Sequence, residues 1–322
     1  MLRTAEFVTP KHPDKMCDRI ADAILDECLR QDQRSRCAVE VMGGHGIVTV
    51  TGEITSAAFV DIPEIVHRIA GPIGVNVNIA KQSSEISAGV DDGGAGDQGI
   101  MVGYACAENE EMVPLEYFLA RNLCKYLYTF HPVDGKTQIT VEDGKIVVAV
   151  ASFCGVPTKL LRNEVEGWVG LQQSLDSQIV FHINPAGDWN VGGFDADTGL
   201  TGRKIAVDCY GPRVALGGGA FSGKDATKVD RSGAYVARSI AKKVLKMTEG
   251  KEVYVYLAYA IGVKHPVQVT VIVDGKEMDA YREFGNALNP QEIIKGFDLK
   301  KPIYELTAEW GHFGNDFAWD LL

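Results

Sequence analysis

No run of apolar residues in this sequence is long enough to cross a membrane, and its first residues lack the charged-then-apolar layout of a secretory leader. Cysteine is sparse and unpatterned. Cys17, Cys28, Cys37, Cys106, Cys124, Cys154 and Cys209 are odd in number and nowhere form a CxxC. That argues against disulfides or a zinc site and predicts buried free thiols in a reducing cytoplasm. Positive charge is also scarce: 32 basic against 43 acidic residues leave a net charge of −11. Such a balance lacks the basic field of a nucleic-acid-binding surface, so local basic clusters point instead to a pocket for a small, highly charged anion. No nucleophilic triad is visible. What is present, 322 residues with 46% hydrophobic and 23% charged, suits a globular chain of two or three modest domains.

The most informative stretch is Gly217-Gly218-Gly219-Ala220-Phe221-Ser222-Gly223-Lys224-Asp225-Ala226-Thr227-Lys228-Val229-Asp230-Arg231-Ser232-Gly233. Glycines let backbone N–H groups close around an oxyanion without a Cβ in the way. Lys224, Lys228 and Arg231 add positive charge, and Asp230 stands at a helix start as a possible metal ligand. Gly218-x-x-x-x-Gly223-Lys224 satisfies most of the nucleotide P-loop pattern. It fails where Asp225 replaces the Ser or Thr that would ligate magnesium. The segment predicts a polyphosphate cradle, but not an ordinary P-loop NTPase.

Periodicity predicts one unit used three times. Long helices are expected at 13–29, 115–128 and 231–245, each followed by a hairpin: 37–42 with 47–51, 138–141 with 146–152, and 253–260 with 267–273. A second helix follows in each unit (57–69, 159–172, 291–297), then a short strand (75–79, 179–183, 303–306). Strands at 100–105 and 204–209 precede the second and third long helices. The resulting expectation is an α+β chain of three βαββαβ units whose open sheets pack on each other or on a partner subunit; an unrelated mixture of α+β domains is the alternative. Glycine-rich joins divide it into segments 1–88, 94–190 and 191–322.

Several polar clusters could carry chemistry. Lys11-His12-Pro13-Asp14-Lys15 enters the first helix, and Pro13 and Asp14 are accounted for by good helix-start chemistry alone. The three neighbouring cations are not, unless an anion sits among them. The loop 89–99 carries Asp91, Asp92 and Asp97, either an acidic turn or carboxylates beside a nucleotide. Asp134-Gly135-Lys136 reads as a simple turn. Trp189, following Asp188, is either a core residue, as most tryptophans are, or, in a glycine-rich loop where core tryptophans are rare, a platform for a purine. Asp197 precedes Thr201-Gly202-Arg203-Lys204, where Arg203 suits bidentate phosphate binding and Lys204 a point charge. Glu40 and Glu53 lie in strands where simple alternation would turn them to solvent.

Taken together, His12-Pro13-Asp14-Lys15, Gly94-Ala95-Gly96-Asp97-Gln98-Gly99, Thr201-Gly202-Arg203-Lys204 and the segment 217–232 resemble the S-adenosylmethionine synthetase (methionine adenosyltransferase) family. The resemblance runs nearly end to end, through Tyr259-Ala260-Ile261-Gly262-Val263 to Gly311-His312-Phe313-Gly314. It implies three similar domains in a pseudo-threefold arrangement and a homodimer with active sites between subunits, dimer against tetramer being left open. It implies attack of the methionine sulfur on C5′ of ATP, then cleavage of the released triphosphate to diphosphate and phosphate. His12, Asp134, Lys136, Asp188, Trp189, Asp197, Arg203, Lys204, Ala220 and Lys224 would line the ATP site, with His12, Lys136, Arg203, Lys204 and Lys224 catalytic. Glu53, Gln82, Asp97, Asp197 and Lys228 would contact methionine. Asp14 and Asp230 would hold Mg2+, two ions per site, and Glu40 a K+. Two departures stand out: Lys11 replaces the family's usual glycine, and the segment between Asp91 and Gly94 is short where relatives carry a longer gate. A shortened gate predicts looser substrate capture. A catalytically silent nucleotide-binding homologue and a phosphotransferase are the competing readings.

Overall fold

The computed structural model describes residues 1–81, 94–175, 178–278, 284 and 288–321. In chain order the elements are β1 (Leu2–Val8), α1 (Pro13–Gln31), β2 (Arg36–Gly44), β3 (Ile47–Thr55), α2 (Ile62–Ala70), β4 (Gly74–Ala80), β5 (Gly99–Cys106) and α3 (Leu115–Phe130). There follow β6 (Gly135–Glu142), β7 (Lys145–Phe153), α4 (Thr158–Gln172), β8 (Val180–Ile183), β9 (Gly199–Leu200), α5 (Ile205–Asp208) and α6 (Val229–Thr248). The last are β10 (Glu252–Tyr259), β11 (Gln268–Val273), β12 (Lys276–Met278), α7 (Pro290–Gly296) and α8 (Tyr304–Thr307).

The strands form three four-stranded sheets, ordered β1-β6-β7-β8, β9-β2-β3-β4 and β5-β10-β11-β12. In the first two, two antiparallel pairings are followed by a parallel one, β7 with β8 and β3 with β4. The third is antiparallel throughout, because β12 returns directly from β11. The α+β fold class expected from periodicity is what the chain adopts.

The edge strands are exchanged cyclically among the sheets. β1 opens the chain but pairs with β6, Leu2 opposite Glu142 and Val8 opposite Lys136. β5 pairs with β10, and β9 returns to β2. Each long helix covers a sheet to which the strand just before it does not belong: α1 lies on β2 and β9, α3 on β1 and β6, and α6 on β5 and β10. A Cβ on Gly103 of β5 would stand 2.1 Å from the Ala237 carbonyl of α6, so glycine permits that close approach.

Two expected strands prove helical. Residues 204–209 contribute α5, a single turn. The preceding amides of Leu200 and Gly202 are fixed by Asp14 and Asp18, and the Tyr117 hydroxyl donates to the Val207 carbonyl at 2.8 Å. The strand role there falls to the two residues of β9. Residues 303–306 fall in α8, because both Asp26 carboxylate oxygens accept its first amides, Tyr304 N and Glu305 N, at 2.9 Å. The helix expected from residue 57 starts at Ile62, where Asp61 accepts from Glu64 N at 3.0 Å and Pro63 stands in the first turn.

α1 is buried on two opposite sides. Met16, Ile20, Ile24 and Cys28 form the apolar row and belong to one core with Val39, Val41, Val48, Val50 and Phe194. Two residues round the helix, Asp14, Asp18, Asp22 and Asp26 form a second row, and all four are buried. Buried carboxylates require partners, and each of the four takes at least one backbone amide from the second half of the chain. The other sheets share a second, larger core that includes Tyr104, Tyr117, Tyr235 and Trp319.

Candidate active site

The N-terminus of α1 is built around His12. Its imidazole Nδ1 accepts the Asp14 amide at 3.2 Å, which makes it the N-cap and leaves the proton on Nε2. Burial, and then the nearby Lys204 and Lys136 ammonium groups, push its pKa down to about 3, so the ring is neutral at physiological pH. A neutral imidazole with a free N–H is a hydrogen-bond donor, not a charge.

Asp14 accepts Lys204 Nζ at 2.6 Å on Oδ2 and Leu200 N at 2.9 Å on Oδ1, with Arg203 Nε 3.8 Å away. Burial opposes ionisation, yet the Lys204 and Leu200 bonds hold its carboxyl below the usual range. Lys136 is exposed on β6. Burial raises Asp134 while its Oδ2 takes the Gly193 amide at 2.9 Å. Asp197 is exposed and acts electrostatically on both His12 and Asp134. His12, Asp14, Asp134, Lys136, Asp197, Arg203 and Lys204 therefore form one neighbourhood. Beside it lies a cleft of about 470 Å3 lined by Met16, Asp134, Cys154, Gly193 and Phe194.

A second group gathers where the glycine-rich segment meets β2. Lys224 Nζ donates to Asp230 Oδ2 at 2.6 Å, and Lys224 bridges to Ala38. A Cβ on Gly219 would fall 2.1 Å from Asp230 Oδ1, so the glycine makes room for that carboxylate. Glu40 links the two groups: burial raises its pKa, while Lys224 and Thr201 oppose the rise. Ala220 packs against Gly202, where a Cβ would come within 2.6 Å. Asp225, the P-loop mismatch, is buried and takes the amides of Cys37 and Thr227 while holding the Lys228 ammonium. It serves the turn.

Other expected residues lie apart from these bonds. Asp97 is exposed and turns back on the Gln98 amide. Its segment is held through Ala95, which exchanges hydrogen bonds with Val263 and Gly262. Glu53 is half-buried on β3 opposite Ala38. A cleft of about 620 Å3 is lined by Thr55, Lys81, Asp225 and Thr227, without Glu53 or Lys228 among its lining residues. Gln82, Asp91 and Asp92 lie outside the described residues. Asp188 caps α4, accepting Thr158 N at 2.9 Å and Thr158 Oγ1 at 2.5 Å, and Trp189 is half-buried beside it.

Two cations thought to need an anion have protein partners instead. Lys15 is buried between Asp18 at 3.0 Å and Asp208. Lys11 donates to the Ile69 carbonyl at the end of α2, at 3.3 Å, where the helix carries negative partial charge. The acidic row of α1 beyond Asp14 went unread in the sequence, although its spacing of four was there to see. Among the described residues, no cluster of three or more His, Cys, Asp and Glu side chains could hold a metal by itself.

Family models match almost the whole chain: the S-adenosylmethionine synthetase N-terminal domain at residues 1–91, the central domain at 92–189 and the C-terminal domain at 191–321. The S-adenosylmethionine synthase of Brachyspira hyodysenteriae (strain ATCC 49526 / WA1) is 40% identical over 373 aligned positions, covering 98% of this chain and 95% of that protein. With three family domains in order, and motif residues converging at the start of α1, the chain belongs to the S-adenosylmethionine synthetase family, the methionine adenosyltransferases.

Proposed function

We propose that the chain makes S-adenosylmethionine from ATP and L-methionine, the methionine sulfur displacing triphosphate from C5′ and the triphosphate then being hydrolysed to diphosphate and phosphate. The observation that carries this reading is the neutral His12 set beside Lys136, Lys204 and Arg203 at a helix N-terminus. A thioether needs no general base. The barrier lies in charge separation, positive on sulfur and negative on the departing oxygen, which preorganised charges lower by roughly 3–4 kcal/mol each in comparable sites.

In this reading the His12 Nε2–H donates to the oxygen that leaves C5′, and Lys136, Arg203, Lys204 and Lys224 receive the triphosphate. Asp134, Asp188, Trp189 and Ala220 line the nucleotide, with Trp189 against adenine. Asp97 and Asp197 face the nascent sulfonium, and Glu53, Gln82 and Lys228 hold methionine.

Magnesium fits the donors as a companion of substrate: Asp14 and Asp230 are single carboxylates beside lysines, the sparse protein set that magnesium completes with phosphate oxygens and water. When bound, two such ions would neutralise phosphate charge. Glu40 is a single oxygen donor for potassium. A homodimer is supported by exposed apolar residues on the sheets, Met42, Ile47, Ile100 and Val180. Seven free thiols fit the cytoplasm. A shortened gate accords with an alignment to the relative longer than this chain's own 322 residues.

Incubation with ATP, methionine, Mg2+ and K+ should yield S-adenosylmethionine together with phosphate and diphosphate. ADP as product would replace this reading with a phosphotransferase, and absence of turnover with a silent binder.

A further inference from the structure

Two acids one turn apart on α1 repeat a single device. Asp18 Oδ1 accepts the Gly202 amide at 2.8 Å, and Asp22 Oδ1 accepts the Gly223 amide at 2.9 Å. Each glycine immediately precedes a cation of the proposed site, Arg203 in one case and Lys224 in the other. Both glycines hold left-handed backbone, φ 75° and 82°, where a side chain would be strained. Each acid is locked from behind by a buried cation: Lys15 on Asp18 at 3.0 Å, and Arg231 on Asp22 at 2.8 and 2.6 Å. Arg231 also donates to the Lys224 carbonyl at 2.8 Å.

Neither Asp18 nor Lys15 reaches the cleft, since both are fully buried. A side chain so placed can affect chemistry only through the backbone it holds. Arg203 is 55% exposed and, among the described residues, its one ion pair is a long one with Asp14 at 3.8 Å, so its direction depends on the turn that carries it. We infer that Asp18 is a positioning residue for the polyphosphate: its grip on the Gly202 amide aims the following Arg203 at the anion, while Lys204 is held separately by Asp14. This rests on the proposed function for the identity of the anion, but not for the grip itself.

The probe is tripolyphosphate with Mg2+, titrated calorimetrically against the full chain, alongside S-adenosylmethionine formation. Asp18→Asn keeps an oxygen for the Gly202 amide; Asp18→Ala does not. The expected result is a loss of affinity on the order of tenfold for Asp18→Ala, within about threefold of wild type for Asp18→Asn, and an unchanged KM for methionine. In addition, Asp18→Ala combined with Arg203→Ala should bind no more weakly than Arg203→Ala alone, a non-additivity that general destabilisation would not produce. If Asp18→Ala misfolds, the comparison of Asp18→Asn with Arg203→Ala still decides: tenfold weakening in folded Asp18→Asn overturns the inference. Wild-type affinity in Asp18→Ala, or additive losses in the pair, overturns it while synthesis by the wild type leaves the proposed function standing. Asp18-dependent binding without synthesis does the reverse. A wild type that does not bind tripolyphosphate refutes both.

Discussion

Lys204 Nζ lies 2.6 Å from Asp14 Oδ2, so a carboxylate proposed for magnesium is already held by a cation proposed for the triphosphate. The two claims compete for one oxygen. Lys204→Met should therefore do two things at once. Turnover should fall by about two to three orders of magnitude, the usual effect of removing a preorganised charge. The Mg2+ concentration for half-maximal rate should also fall, because Asp14 is released. Steady-state kinetics across a magnesium series checks both, and a rise in the magnesium requirement would contradict the competition.

His12 combines a structural bond on Nδ1 with a free Nε2–H, and the roles are separable. Asparagine is among the best N-caps. His12→Asn should keep the melting temperature within a few degrees while lowering turnover on the order of a hundredfold. In the wild type, the His12 ring should show no titration by NMR between pH 5 and 8, since its pKa is held at about 3.

Asp26 gives a pH dependence of defined sign. Burial pushes its carboxyl up to about 6, from the ordinary aspartate value of 3.8. As pH falls through 6, the folded chain takes up a proton that the unfolded chain does not, so this residue adds stability on acidification. The increment is of order 1–3 kcal/mol, complete near the unfolded value. The melting temperature of wild type relative to Asp26→Asn should rise between pH 7 and 4.5; a flat difference would refute the assignment.

Gly103→Ala tests the packing of α6 on β5. The added methyl would meet the Ala237 carbonyl, and overpacking of this kind costs roughly 1–3 kcal/mol. Denaturant unfolding should report that loss, accompanied by reduced activity, because α6 begins beside Asp230.

Much of this molecule was legible in the sequence because it is written locally. The apolar row Met16, Ile20, Ile24, Cys28 announces α1, and β-branched runs announce the hairpins. The membership of the sheets was not legible. Leu2 opposite Glu142 is a pairing over a long separation, and nothing in the pattern of either strand specifies the other. The same limit misread 204–209 and 303–306. Both are short stretches placed by aspartates of α1 far away in sequence, through the amides of Leu200 and Gly202 just before the first and of Tyr304 and Glu305 within the second. At the site, residue types pointed to a cluster of cations. Which of them were already matched, such as Lys15 by Asp18 and Asp208, was a question only geometry could answer.

The exchanged edges bear on how the chain can be assembled at the ribosome. β1 emerges well before its partner β6, and the sheet built on β2 stays incomplete until β9, after residue 198, has left the exit tunnel. A nascent chain released at any of the apparent domain borders would carry an unclosed flank. Closure of all three sheets waits on β9 and on β10 to β12, the strands that come latest in the chain.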